Sequence, residues 1–228
     1  MQIDDCAVVY SAKYRCVQLA RARGIQHTHG MKTNTLASAA LPLFALFWIV
    51  GSSASGETAE PAPGAAAHYA GDKLTLPENY REWVYLSAGF DMSYSAPATP
   101  DHHMFDNVFV EPGAYKAFLA SGTWPDKTML VLEIRGAAGK GSINQHGNYQ
   151  DTEVLGVEVH VKDTARFEGG WAFFSFDSGK QATMIAHDHD CYSCHQAHAA
   201  VDTTFVQFYP TLLPLAKAKG TLSRSYQP

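Results

Sequence analysis

No apolar stretch of this chain is long enough to make a convincing bilayer span. The longest uncharged run, Leu36 to Val50, has about 15 residues, where a membrane-crossing helix needs roughly 20. No cysteine closes that run to take a lipid, so a retained anchor is the weaker reading. Met31 and Lys32 precede the run, and small residues ending Ala54-Ser55-Gly56 follow it, which is the layout of a secretory signal peptide. Because a signal peptide begins a chain, Met31 reads as the true initiator. Residues 1–30 then read as a spurious upstream extension, residues 31–56 as the signal peptide and 57–72 as a flexible Pro/Ala/Gly leader. The domain proper spans 73–228.

Basic residues are also few. Without residues 1–56 the chain loses Lys13, Arg15, Arg21, Arg23 and Lys32 but only Asp4 and Asp5 among the acids. That leaves 12 basic and 20 acidic residues, a net charge near −8. This balance argues against nucleic acid or anionic lipid as a partner, and no stable membrane insertion is expected after cleavage. With 46% hydrophobic and 17% charged residues, the chain can build one compact core. It shows no internal repeat and no second domain.

Of the four cysteines, Cys6 and Cys16 fall in the upstream extension and drop out of the functional argument. The other two sit in Cys191-Tyr192-Ser193-Cys194-His195. Two thiols add across the two vinyl groups of a haem, and an imidazole on the same turn binds its iron, so C-x-x-C-H supplies covalent attachment and axial ligation together. Export adds weight, because haem c is attached outside the cytoplasm. A thioredoxin-like pair expects a βαβ context near the start of a domain. A structural disulfide remains open, as does zinc, since His187, His189 and His198 crowd the same segment. The haem reading is one covalent haem c held by Cys191, Cys194 and His195, with His195 as metal ligand and the other three histidines on the surface.

Five short runs rich in β-branched and aromatic residues are bounded by turn formers: Trp83 to Phe90, Phe105 to Val110, Thr128 to Arg135, Val154 to Val161 and Trp171 to Phe176. Between the second and third, Pro112 stands at a first helical position and Gly122 beyond the end. Tyr115, Phe118 and Leu119 lie at helical spacing between them. Helical spacing returns after Cys191. The expected fold is α+β: a mainly antiparallel β-sheet with a short crossing helix and a haem-bearing helical C-terminus.

No methionine follows the haem motif, which excludes the layout of the common small electron carriers. A four-helix cytochrome is excluded by the strands upstream. The segments Leu76-Pro77-Glu78-Asn79-Tyr80-Arg81-Glu82-Trp83-Val84, Gly169-Gly170-Trp171-Ala172-Phe173-Phe174-Ser175-Phe176, Cys-x-x-Cys-His, and Asp202-Thr203-Thr204-Phe205-Val206-Gln207-Phe208-Tyr209-Pro210 together resemble the cytochrome P-460 and cytochrome c-prime-beta family. The likeness runs from about Leu76 to Leu213. It implies a β-rich periplasmic protein, usually a homodimer, with a five-coordinate haem and a distal pocket open to small ligands. P-460 members oxidise hydroxylamine and carry a lysine cross-linked to the porphyrin. The c-prime-beta members lack that bond and bind nitric oxide or carbon monoxide on an apolar distal face.

By this resemblance the cross-linking position falls on Leu132, which cannot form the bond and would instead wall the distal side. Lys127 is five residues away, on the opposite face of an extended strand, and reads as a solvated turn lysine. The family's distal acid aligns with Glu158, which either enters the pocket as a proton acceptor or meets solvent. Strict alternation would put Val154, Gly156, Glu158 and His160 on one face and Leu155, Val157, Val159 and Val161 on the other. His102 and His103 open the second strand, where a pocket role and a surface role both stay open.

Three functions follow: a cytochrome that binds a small gaseous or nitrogen-oxide ligand, a P-460-type oxidoreductase acting on hydroxylamine or a peroxide, and an electron-transfer cytochrome with both axial positions filled. An electron-transfer partner is compatible with each. The mature protein is expected to begin close to Glu57, which N-terminal sequencing of the exported form would check; recovery there of intact residues 1–30 would contradict it.

Overall fold

The structure, a computed structural model, describes residues 67–92, 103–143, 145–177 and 179–226. The upstream extension, the signal peptide, leader residues 57–66 and His102 lie outside the described residues. All five expected strands are present: β3 (Val84–Phe90), β4 (Met104–Val110), β5 (Met129–Gly139), β6 (Asn148–Lys162) and β7 (Trp171–Phe176). They form one antiparallel sheet in the order β3-β4-β5-β6-β7. A second, three-stranded sheet of order β1-β2-β8 pairs Tyr69–Ala70 (β1), Lys73–Thr75 (β2) and Gln181–Thr183 (β8). These strands are too short to show alternation, and β1 falls within the stretch expected as leader. Strands β5 and β6 also run on as a polar, glycine-rich ribbon whose residues pair with each other, as in Ala137 with Gln150. Their sequence carries no apolar period there because neither face is buried.

The crossing helix α1 (Pro112–Ser121) starts and stops where its sequence dictates. The Glu111 carboxylate accepts hydrogen bonds from the amides of Gly113 and Ala114, both at 2.8 Å, satisfying donors that the first turn leaves orphaned. Gly122 ends the helix at φ 78, and its amide donates to the Phe118 carbonyl at 2.7 Å. A Cβ at Gly122 would stand 2.9 Å from Lys219 Cβ and Thr221 Oγ1, so packing demands glycine as well as the turn. Ala114 and Phe118 face the sheet, but Leu119 is exposed and does not join the apolar face expected for it. After helix α2 (Asp190–His198), the Phe205 to Tyr209 segment makes a single 3-10 turn before helix α3 (Leu213–Lys219).

The main sheet separates two apolar cores. One face carries Met129, Val131, Val157, Val159, Val161 and Phe174, which pack with Leu74, Tyr80 and Trp83. The other carries Val110, Leu130 and Trp171, which pack with Phe118 and Trp124 and with Val201, Val206 and Leu212 of the C-terminal segment. This second face meets the helices. Among the described residues, no helix is long and apolar enough to cross a membrane.

Glu133 is a buried charge on the first face, and it is fully engaged. The Tyr80 hydroxyl donates to it, as do Arg81 and Arg135. Burial pushes its pKa up, but those hydrogen bonds outweigh burial and hold the carboxyl below its ordinary value. A depressed carboxyl stabilises the fold above its unfolded pKa and loses that contribution as pH falls through the folded value. The stability advantage of the wild type over Glu133→Gln, measured by chemical denaturation, is therefore expected to shrink as pH is lowered from about 5 toward 3.

Candidate cofactor site

Helix α2 places its chemistry by spacing alone. Cys191, Cys194 and His195 stand three and four residues apart, so they share one side of the helix. The His189 side chain caps the helix by accepting from the Cys191 amide at 3.3 Å, and its Nδ1 lies 3.1 Å from Cys191 Sγ. Both thiols are half-buried and free of any disulfide.

His195 is held in one orientation and one proton state. Its Nδ1 donates to the Thr203 carbonyl at 2.7 Å, leaving Nε2 with its lone pair directed elsewhere. Burial pushes its pKa down to about 4, so the ring is the neutral, metal-binding form at pH 7. Phe205 and Phe173 pack against it at ring distances of 4.2 and 4.6 Å. The accepting carbonyl is itself fixed. Val201 and Thr204 bridge across a tight turn in which Asp202 takes φ 52. The Thr204 hydroxyl donates to the Val201 carbonyl at 2.8 Å and accepts from the Trp124 indole N–H at 2.7 Å.

The sheet face under this helix is read from its register, since partners in an antiparallel ladder share a face and the next row lies two residues on. Val84, Val110, Leu130, His160 and Phe173 form one row, and four of them are buried. His160 stacks on Phe173 at 3.9 Å and its Nε2 lies 3.2 Å from Thr203 Oγ1, so this row meets the turn that orients His195. Burial, and then His195, push the His160 pKa well down. The next row is Ser87, Val108, Leu132, Glu158 and Ser175, and all five are half-buried. A half-covered stripe thus crosses all five strands beside the row that contacts His195. One row further lie Gly89, Asp106, Ile134 and Gly156.

Leu132 and Glu158 are direct register partners on this stripe. The alternation expected for β6 holds from Gly156 to Val161 but breaks before it. A register shift lets Val154 pair with Arg135, so Val154 leaves the row pattern that Glu158 and His160 follow. Lys127 occupies a turn at φ 66 and pairs with Asp163. Lys162, on the same face of β6 as Glu158 and His160, donates its ammonium to the Trp124 carbonyl at 2.8 Å and to Asp202 at 3.0 Å. His103 is exposed, stacks on Phe90 and pairs with Asp91. His187 is exposed with its ring on Tyr192, while His198 is half-buried. Among the described residues no group of three or more His, Cys, Asp and Glu side chains is arranged to hold a metal ion.

Four residues have roles that the sequence did not assign: Thr203, Trp124, His160 and Asp106. Thr203 acts through its backbone, which leaves no side-chain signal. Trp124 reads as an ordinary core aromatic, and its partner is 80 residues away. His160 was already expected on the face of Glu158, and Asp106 lies two residues along β4 from Val108, where only the strand register shows its neighbours. Asp106 Oδ1 is buried without a hydrogen-bond partner. Burial first, then Glu158 and Asp91, raise its pKa to about 7.

Two thiols and a neutral imidazole on one side of a helix, beside a half-covered stripe that holds Val108, Leu132 and a carboxylate, suit the donor set and walls of a haem, and they define the class as a cytochrome. The family model described as Cytochrome P460 matches residues 77–206, more than half of the chain. The chain belongs to the cytochrome P460 family and is a haem-binding protein. Comparison with curated proteins gives no match.

Proposed function

We propose that this protein is an exported, periplasmic cytochrome with one covalent haem c, whose open distal site binds a small ligand such as nitric oxide. Bound haem supplies an iron able to take a diatomic molecule. Cys191 and Cys194 hold the ring, and His195 presents Nε2 to the metal while Thr203 keeps the imidazole from turning. The observation that carries the ligand-binding reading is the half-covered stripe Ser87, Val108, Leu132, Glu158 and Ser175. Val108 and Leu132 give it an apolar wall, which neither blocks a small molecule nor competes for iron. It offers no histidine or methionine to close the sixth position, which weighs against the six-coordinate electron carrier. It offers no amine for a bond to the ring, and the ammonium of Lys162 is engaged elsewhere.

A second reading, hydroxylamine oxidation of the P-460 type, is favoured by one feature. Glu158 stands in the same stripe beside Leu132 and could accept protons from a nitrogen substrate. A homodimer and a separate electron-transfer partner accompany either reading, as the family resemblance suggests.

Acid-acetone extraction and mass spectrometry separate these readings. Wild-type haem should resist extraction, and the Cys191→Ala/Cys194→Ala double variant should release it. The tryptic haem peptide should contain residues 191–195 alone. A second peptide joined through the haem by a lysine, or haem that resists extraction from the double variant, would favour the hydroxylamine-oxidising reading.

A further inference from the structure

Asp106 is a half-buried acid in the middle of the main sheet. It lies on β4 opposite Ile134, one row beyond Leu132 and Glu158, on the face that carries the half-covered stripe. One of its carboxyl oxygens is shut from water and has no hydrogen-bond partner. A buried oxygen left unpaired is costly, so a carboxyl kept there without partners is unfavourable unless something approaches it. Among the described residues, the charges that shift it are both acidic. Glu158 stands across β5 on β6, and Asp91 follows β3. Asp91 is occupied, accepting from the Met104 amide at 2.9 Å and pairing with His103. Ile134, the β5 partner between the two acids, carries no charge, and Arg135 is spent on Glu133. Among the described residues, no cation pairs with Asp106.

We propose that Asp106 is the hydrogen-bond donor of the ligand site: its protonated carboxyl donates to the outer atom of a ligand on the iron, and ionisation switches that bond off. This deepens the ligand-binding reading given above and rests on it. Glu158 and Asp106 then divide the work by position. Burial first, then repulsion from Glu158 and Asp91, raise the Asp106 pKa to about 7, and a carboxylic acid can donate where a carboxylate can only accept. The ligand would feel a proton switch near pH 7 rather than near pH 4, where an ordinary carboxyl titrates.

Carbon monoxide is a suitable probe, because a hydrogen bond to its oxygen lowers its stretching frequency. The ferrous, haem-loaded protein would be titrated from about pH 5 to 9 while the infrared stretch of bound carbon monoxide is recorded. Wild type should show one transition near pH 7, moving to higher frequency as the acid ionises. Asp106→Asn, nearly the same shape, should bind carbon monoxide with a frequency that no longer changes with pH. Glu158→Gln should keep the transition and move its midpoint to lower pH, because the repelling charge is gone. A carbon monoxide complex whose stretch is independent of pH in the wild type, or whose transition persists in Asp106→Asn, overturns the role of Asp106 and leaves the open site intact. Absence of carbon monoxide binding at every pH overturns the open-site reading and this inference with it.

Discussion

The Trp124 indole and the Thr204 hydroxyl, joined at 2.7 Å inside one apolar core, tie the C-terminal segment to the sheet. Helix α2 contributes no fully buried residue of its own, so its histidine takes its direction from groups outside the helix, the Phe173 and Phe205 rings and the Thr203 carbonyl. A nine-residue helix is marginal in isolation. Its position is fixed from behind: Trp124 holds Thr204, Thr204 holds the turn at Val201, and the turn offers the Thr203 carbonyl to His195. Each link is a buried or half-buried polar contact, and a buried donor left unpaired is costly. The imidazole is therefore oriented by the need to satisfy an indole N–H in the opposite core wall.

The two faces of the sheet treat acids in opposite ways. On one face Glu133 is surrounded by donors and held ionised. On the other Asp106 has acidic neighbours, an unpartnered oxygen and a raised pKa. The same residue chemistry thus serves as a structural anchor on the first face and as a protonatable group on the second. Burial pushes both carboxyls up, and the supply of neighbouring donors decides whether it is outweighed.

Much of the fold was legible because period-two alternation bounded by turn residues is a local signal. Trp171–Phe176 appeared at its expected limits, and Pro112–Ser121 carried its own start and stop. The small sheet was not legible, since strands of two or three residues have no period. The polar extension of β5 and β6 was missed for a related reason: its pairing is to itself rather than to a core. At the site, Cys191, Cys194 and His195 could be read from the sequence because covalent chemistry fixes their spacing. Leu132 and Glu158 came through family likeness, and the register puts them side by side. Thr203 and Asp106 could not be found so directly. A carbonyl leaves no trace in residue identity, and the environment of Asp106 depends on strands far apart in the chain.

The half-covered stripe also bears on how such a protein can change over generations. None of its five positions is a fully buried core member, although Val108 packs against one core, so exchanging a side chain there disturbs less of what keeps the sheet folded than a change in the core itself. By contrast, positions two residues along, such as Leu130 and His160, are buried. Selection can therefore rewrite reactivity at 132 or 158 on an unchanged scaffold, and descendants with different chemistries can share one fold without first acquiring compensating mutations.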